Sequence, residues 1–245
     1  MRIILLLLPL LLTNCLKTDI IYGSGTLSTQ TIVLDSFNGT LNLNINTPIT
    51  INHGEPQLSI TTDDNLQKYT LWDTAGGALS VKQDQSYNYT ATDFAIELTL
   101  PSLLNVTIDS NRVESFIMPD TSFMGDFRGN SQFISKMKLS KASLSISESA
   151  MVSFMGDVTH LDLTITSDQK QELDSLEIYY ATIQIATSQL TELNVRSSIK
   201  GSLEGPGDLS LRVHPPIEDI QRFGEAEVIY MDTITDSLSL ESSEN

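Results

Sequence analysis

The chain has 245 residues, of which 31 are acidic and 14 basic, for a formal net charge of −17. That excess repels polyphosphate and anionic lipid alike, which excludes nucleic acid as a partner and excludes adhesion to a bilayer by charge alone. A single cysteine excludes a disulfide framework within the chain.

The N-terminus, MRIILLLLPLLLTNC, carries one basic residue, Arg2, and an apolar run from Ile3 to Leu12. A membrane-spanning helix needs roughly 20 apolar residues, so residues 1–14 read as an export signal instead. Cys15, the lone thiol, stands at the expected cleavage point. Leu12-Thr13-Asn14-Cys15 resembles a bacterial lipoprotein box, with Asn14 in place of the usual small residue. The resemblance implies diacylation of Cys15, and each acyl CH₂ buried in lipid contributes about 0.8 kcal/mol. Residues 15–30, mostly polar, are then expected to form the lipid anchor and tether. Leu16 follows the cysteine where a retention signal would put Asp, which favours the outer membrane in a two-membrane host and leaves its side open.

Beyond the tether the visible period is two. It appears in Leu41–Ile45, Ile96–Leu100, Leu144–Ile146, Leu161–Ile165, Ile183–Ile185 and Leu209–Val213, each alternating an apolar residue with a polar one. Such alternation gives strands with one dry and one wet face, and the expected class is all-β. Gly39, Gly54, Gly76-Gly77, Pro101, Gly129 and Pro215-Pro216 punctuate the strands. Asp64–Leu71 and Gln169–Leu176 are the only segments that could form short helices, and loops are the alternative for both.

A phrase of Gly, an acidic residue and an apolar residue recurs: Gly125-Asp126-Phe127, Gly156-Asp157-Val158, Gly207-Asp208-Leu209, and the degenerate Ala226-Glu227-Val228. The first two copies belong to a longer repeat, SFMGD, at Ser122–Asp126 and Ser153–Asp157. Repeats of about 20 residues built from short strands suggest a solenoid whose coils bury their dry faces against one another. Gly125, Gly156, Gly205, Gly207 and Gly224 are then expected at corners, where positive φ is needed, with Asp126, Asp157, Asp208 and Glu227 capping freed backbone N–H groups. Phe127, Val158, Leu209 and Val228 should face inward. Phe123 and Phe154 are either stacked core or a contact surface.

Gly205-Pro206-Gly207-Asp208 and Gly224-Glu225-Ala226-Glu227 resemble the repeated G-x-G-D of the putative auto-transporter adhesin "head GIN" domain family of bacterial envelope proteins. Gly23-Ser24-Gly25, Phe37-Asn38-Gly39, Leu58–Asn65, Gly77–Val81 and Ile96–Leu104 follow in the family's order, so the resemblance spans about Gly23 to Tyr230. It implies a right-handed parallel β-helix-like solenoid with a more antiparallel N-terminal portion, as one domain over residues 31–230. It implies no established catalytic activity, and the residues give no reason to expect a cofactor or a metal. The acidic tail, 231–245, is expected to be disordered.

The residues themselves offer little other chemistry. His53, His160 and His214 are far apart and lack metal-ligand spacing, no nucleophile elbow is present, and the acidic edge lacks a calcium-loop pattern. Lys136, Lys138 and Lys141 read as the wet face of strands. A saccharide groove would show aromatics in a row; the only tryptophan is Trp72, and Tyr87, Tyr89, Tyr179 and Tyr180 are either such a patch or packing. The reading is a lipid-anchored cell-envelope protein whose solenoid binds or adheres to an unidentified protein or glycan. A glycan-active lyase or hydrolase on a β-helix scaffold and a purely structural envelope protein are the alternatives.

Overall fold

The computed structural model describes residues 20–45, 47–84, 86–115 and 122–231. Cys15 with its box, Leu12 to Asn14, and the tail beyond Met231 lie outside the described residues. The first strands lie inside the expected tether: β1 (Ile20–Tyr22) and β2 (Leu27–Val33) precede residue 31 or straddle it. The polar side chains of β2 conceal a strand because its wet face looks outward while Ile32 packs against the core.

The N-terminal portion continues through β3 (Thr40–Asn44), β4 (Ile49–His53), β5 (Gln57–Asp63), β6 (Thr70–Asp73), β7 (Leu79–Gln83), β8 (Asn88–Thr90) and β9 (Phe94–Leu100). Three pairings here are antiparallel, β2 with β5, β5 with β9 and β6 with β7. Of the two segments that could be short helices or loops, Asp64–Leu71 holds a 3-10 turn at Gln67–Tyr69, and Gln169–Leu176 is strand from Gln171 onward. Leu173, Leu176 and Ile178 are fully buried against neighbouring coils, and that packing overrides local propensity.

From β10 (Asn105–Asp109) and β11 (Arg112–Ser115) the chain coils in parallel through β12 (Ser122–Arg128), β13 (Gln132–Glu148), β14 (Met151–Ser167), β15 (Gln171–Ala186), β16 (Thr191–Glu204), β17 (Leu209–Leu211), β18 (Ile217–Phe223) and β19 (Val228–Tyr230). The whole is a β-solenoid of about six turns with a mixed, more antiparallel N-terminal sheet. Two faces result. Sheet A holds β7, β3, β10, β12, the second halves of β13 to β16, and β18. Sheet B holds β9, β4, β11, the first halves of β13 to β16, β17 and β19.

Register turns alternation into columns. On sheet A, Ile108 pairs in succession with Phe127, Ile146, Ile165, Ile185 and Leu203, all buried. Each such side chain contributes roughly 1.5–3 kcal/mol on leaving water, and it does so only because the adjacent coils cover it.

The two SFMGD copies are not equivalent. The first lies in β12 on sheet A and the second in the sheet B half of β14, so Gly125 and Gly156 are within strands and not at corners. The reason is local packing. A Cβ at Gly125 would lie 2.5 Å from Cε2 of Phe127, so the missing side chain makes room for that ring. Gly156 has φ +110°, sits where the pairing to β15 shifts register, and would place a Cβ 2.0 Å from the carbonyl oxygen of Met137. Asp126 accordingly pairs with Arg128, and Asp157 points outward between Lys138 and Glu177. The phenylalanines meet across the core: Phe123 and Phe127 from sheet A surround Phe133 and Phe154 from sheet B, with centroids 5.1–6.5 Å apart. They are core, while Met124 and Met155 are exposed on opposite faces.

True corners follow sheet A. Ser167 and Thr187 use hydroxyls there, donating to the carbonyls of Ala150 and Ser167 in the preceding coils. Gly205 and Gly224 occupy the same position in the next two coils, with φ +98° and +124°. At Gly207 a Cβ would fall 2.4 Å from the Gln189 carbonyl. Asp208 Oδ1 accepts the backbone N–H of Glu227, 2.9 Å away, and Glu227 itself is exposed.

At the N-terminal end, the buried Asp63 carboxylate accepts the Thr92 N–H (2.7 Å), the Gly25 N–H (2.7 Å) and the Thr92 hydroxyl (3.0 Å). These bonds, led by the Thr92 backbone, hold its pKa below the ordinary aspartate value against the opposing effect of burial.

Two outcomes follow from this packing. Phe154→Ala should cost about 3–5 kcal/mol in urea denaturation, and the exposed Met155→Ala less than about 0.5 kcal/mol. Asp63 favours the folded state above the ordinary aspartate range of about pH 4 and ceases to do so as pH falls through its depressed pKa. Asp63→Asn should therefore lower the urea midpoint at pH 7 and flatten the acid limb of midpoint against pH.

Candidate functional site

Parallel sheets are ordinarily covered on both faces by helices, because their crossover connections run there. In this solenoid the crossover for each sheet is the other sheet, so both outer faces are left to solvent. Their chemistry differs.

The outer face of sheet A carries a row that runs Ser80, Asn42, Thr107, Asp126, Ser145, Thr164, Gln184, Ser202, Gln221 on successive paired strands. All are partly or fully exposed, and all but Asp126 are neutral hydroxyl or amide groups. Neighbouring strands stand about 4.8 Å apart, so the row is a regular ladder of donors and acceptors. Sheet B instead presents ion pairs: Lys170 with Glu172 and Glu192 at 3.0 Å each, and Arg196 with Glu177 at 3.2 Å. Those carboxylates, Glu172 first, hold the Lys170 pKa above its ordinary value. Lys136 and Lys138 lie on sheet B's outer face, whereas Lys141 is on sheet A and pairs with Asp162 at 3.3 Å.

At the N-terminal end the ladder runs into a cleft of about 570 Å³. Its lining includes the C-terminal ends of β3, β7 and β10, through Asn44, Gln83 and Asp109, and the segment carrying Asp84, Tyr87, Asn88 and Tyr89. A shallower groove beside it, over Asn42, Ser80, Lys82, Thr107 and Arg128, shares Asn44 and Asp109 and joins cleft to ladder.

Tyr87 and Tyr89 line one wall, and Tyr69 packs against both. Tyr69, Tyr87 and Tyr89 have centroids 5.0–6.3 Å apart, and Tyr89 donates its hydroxyl to the Asp84 carbonyl at 2.7 Å. Burial, with Asp84 nearby, pushes the Tyr89 pKa up to about 12. Asp84 Oδ1 in turn accepts the Ser86 N–H, which lowers its own pKa. Of the four tyrosines that the sequence offered as a patch or as packing, Tyr87 and Tyr89 come together, joined by Tyr69, which the sequence did not single out. Tyr179 and Tyr180 lie elsewhere, at the bend between sheets B and A, where Tyr180 stacks on His160 with centroids 5.0 Å apart. Trp72 is partly exposed on the rim strand β6.

Of the other histidines, His214 packs against Tyr230 with centroids 4.4 Å apart and approaches Glu218 at 3.9 Å. Among the described residues no three or more His, Cys, Asp and Glu side chains are grouped to hold a metal, and no helix is long and apolar enough to cross a membrane.

Residues 39–215 match the family described as putative auto-transporter adhesin, head GIN domain. The chain belongs to that family. Among solved structures it is similar to a putative adhesin from Bacteroides fragilis, with a TM-score of 0.78 and 15% identity over 86% of this chain and 100% of that one. A putative adhesin from Parabacteroides merdae gives 0.64 and 18% over 87% and 100%, and a putative lipid binding protein from Parabacteroides distasonis gives 0.61 and 17% over the same shares. At these identities the likeness is one of fold. No curated protein matches the chain.

Because Tyr89 is partly buried and its hydroxyl engaged, its ionisation opposes the fold. That contribution is present below the ordinary tyrosine value near pH 10 and is lost as pH rises through about 12. Ultraviolet titration should show one tyrosine ionising about two pH units after the exposed ones, and Tyr89→Phe should remove that late step.

Proposed function

We propose that this head GIN protein is a lipid-anchored, non-catalytic binding module of the bacterial envelope, with the outer face of sheet A as its contact surface. The observation that carries the reading is the row from Ser80 to Gln221, neutral at every position but Asp126, on an uncovered parallel face. A partner meeting that row exchanges water hydrogen bonds for protein ones at little cost, each worth about 0.5–1.5 kcal/mol net. A partner meeting sheet B would have to desolvate the linked charges of Lys170, Glu172, Glu192, Arg196 and Glu177, whereas the row on sheet A holds one charged residue, Asp126. Family membership and the adhesin descriptions of the similar proteins support the same reading.

Acylated Cys15 would be separated from β1 by five positions, which span at most about 18 Å when extended. The N-terminal end of the solenoid would then stand close to the bilayer, and the ladder would run away from it.

Three measurements test this. Cys15→Ser should shift the protein from the membrane to the soluble fraction. Protease treatment of intact cells should digest the solenoid; survival until permeabilisation would place it in the periplasm. Thr164→Glu with Gln184→Glu, which puts charge in the middle of the row, should reduce adherence of displaying cells by more than about tenfold without changing the β-sheet circular dichroism.

A further inference from the structure

We propose that the cleft at the N-terminal end of the solenoid is a binding site for a neutral saccharide, with Tyr87 as the surface on which a sugar ring stacks. This rests on the reading of the protein as a binding module and names a ligand class for it.

The first observation is a rigid, accessible aromatic. Tyr87 is 39% exposed, yet its ring is held by Tyr69 at 5.3 Å and Tyr89 at 6.3 Å. Tyr89 is itself fixed through its hydroxyl to the Asp84 carbonyl. A ring so supported loses little freedom when a ligand covers it, so contact with it is not offset by ordering cost.

The second is the company that ring keeps. The cleft, at about 570 Å³, is within the range of small-ligand sites, and Asn44, Gln83, Asn88 and Ser110 line it together with Tyr87. An apolar platform beside amides and a hydroxyl matches a molecule with C–H bonds on one face and hydroxyls around its edge. Saccharides have that form.

The third is charge. The lining carries two carboxylates, Asp84 and Asp109, and no cationic side chain. Asp84 is already engaged by the Ser86 N–H, and the charge of Asp109 is felt by the nearby Arg128. An anionic sugar meets repulsion, while neither acid is left as a dedicated cation ligand. A neutral hexose or N-acetylhexosamine fits both conditions.

The test uses the full-length protein in a detergent without a sugar headgroup, applied to immobilised neutral hexose and N-acetylhexosamine oligosaccharides, to uronate oligosaccharides, and to neutral polysaccharide from the producing cell's own envelope. Binding should be confined to neutral glycans. It should weaken by more than about tenfold in Tyr87→Ala, and stay within about twofold of the parent in Tyr87→Phe and in the distant Tyr180→Ala. Which neutral material is bound separates a foreign glycan from one of the cell's own. Absence of binding to every neutral glycan, binding only to uronates, or unchanged binding by Tyr87→Ala would overturn the site. If adherence still depends on Thr164 and Gln184 in that event, the contact surface on sheet A stands and only the saccharide cleft falls.

Discussion

Every feature of the solenoid depends on one constraint: each residue must stand over its equivalent in the coil before it, about 19 positions earlier. Gln132 lies on Met151 and Leu139 on Val158 by this rule. A parallel ladder with that register leaves no independent choice for a side chain, because whatever faces inward in one coil is covered by whatever faces inward in the next. The same rule that stacks Ile146 on Ile165 also sets Ser145 beside Thr164, so the dry core and the wet row have a common origin. Where coil length changes, the ladder breaks locally, as between Ser153 and Gly156, and glycine appears where a Cβ would strike the carbonyl of the neighbouring coil.

That constraint explains what could be read from the sequence. Alternation in Leu161–Ile165 or Ile183–Ile185 specifies strands, and glycine-acid phrases at Gly205–Asp208 and Gly224–Glu227 fall between them, so class and repeat were legible. The corner role of Gly125 and Gly156 was a misreading, because a glycine that admits a backbone turn and one that admits a neighbour's ring look alike in one dimension. The 31-residue offset between the SFMGD copies held the clue. It is about one and a half coils, which puts the two copies on opposite sheets and makes their phenylalanines partners across the core.

The candidate site was less legible. Its cleft joins strand ends from β3, β7 and β10 to the segment around Tyr87, and nothing in local pattern announces that these ends converge. Tyr87 and Tyr89 drew notice as aromatics, but Tyr179 and Tyr180 drew equal notice, and only assembly separates the pair that lines a cleft from the pair at a bend. Tyr69 carried no signal because its role is to hold another ring. That all but one position of the sheet A row is neutral could be counted only once register had aligned residues scattered from Asn42 to Gln221.

The contrast between the two outer faces bears on how an acidic protein can bind anything by contact. A net charge of −17 opposes approach of another anionic surface, but that field is screened over about 8 Å at physiological ionic strength. Within that distance the local chemistry of the face decides the outcome. On sheet B the partner would have to strip water from Lys170, Glu172, Glu192, Arg196 and Glu177, whose pairing with one another leaves little to gain from a new neighbour. On sheet A the hydroxyls and amides of the row can exchange water for a partner's polar groups, and charge is met there at Asp126 with Arg128 and at Lys141 with Asp162. Charge on the rest of the molecule opposes close approach of a second copy, while the nearly neutral ladder and the cleft at its end carry little of that charge themselves.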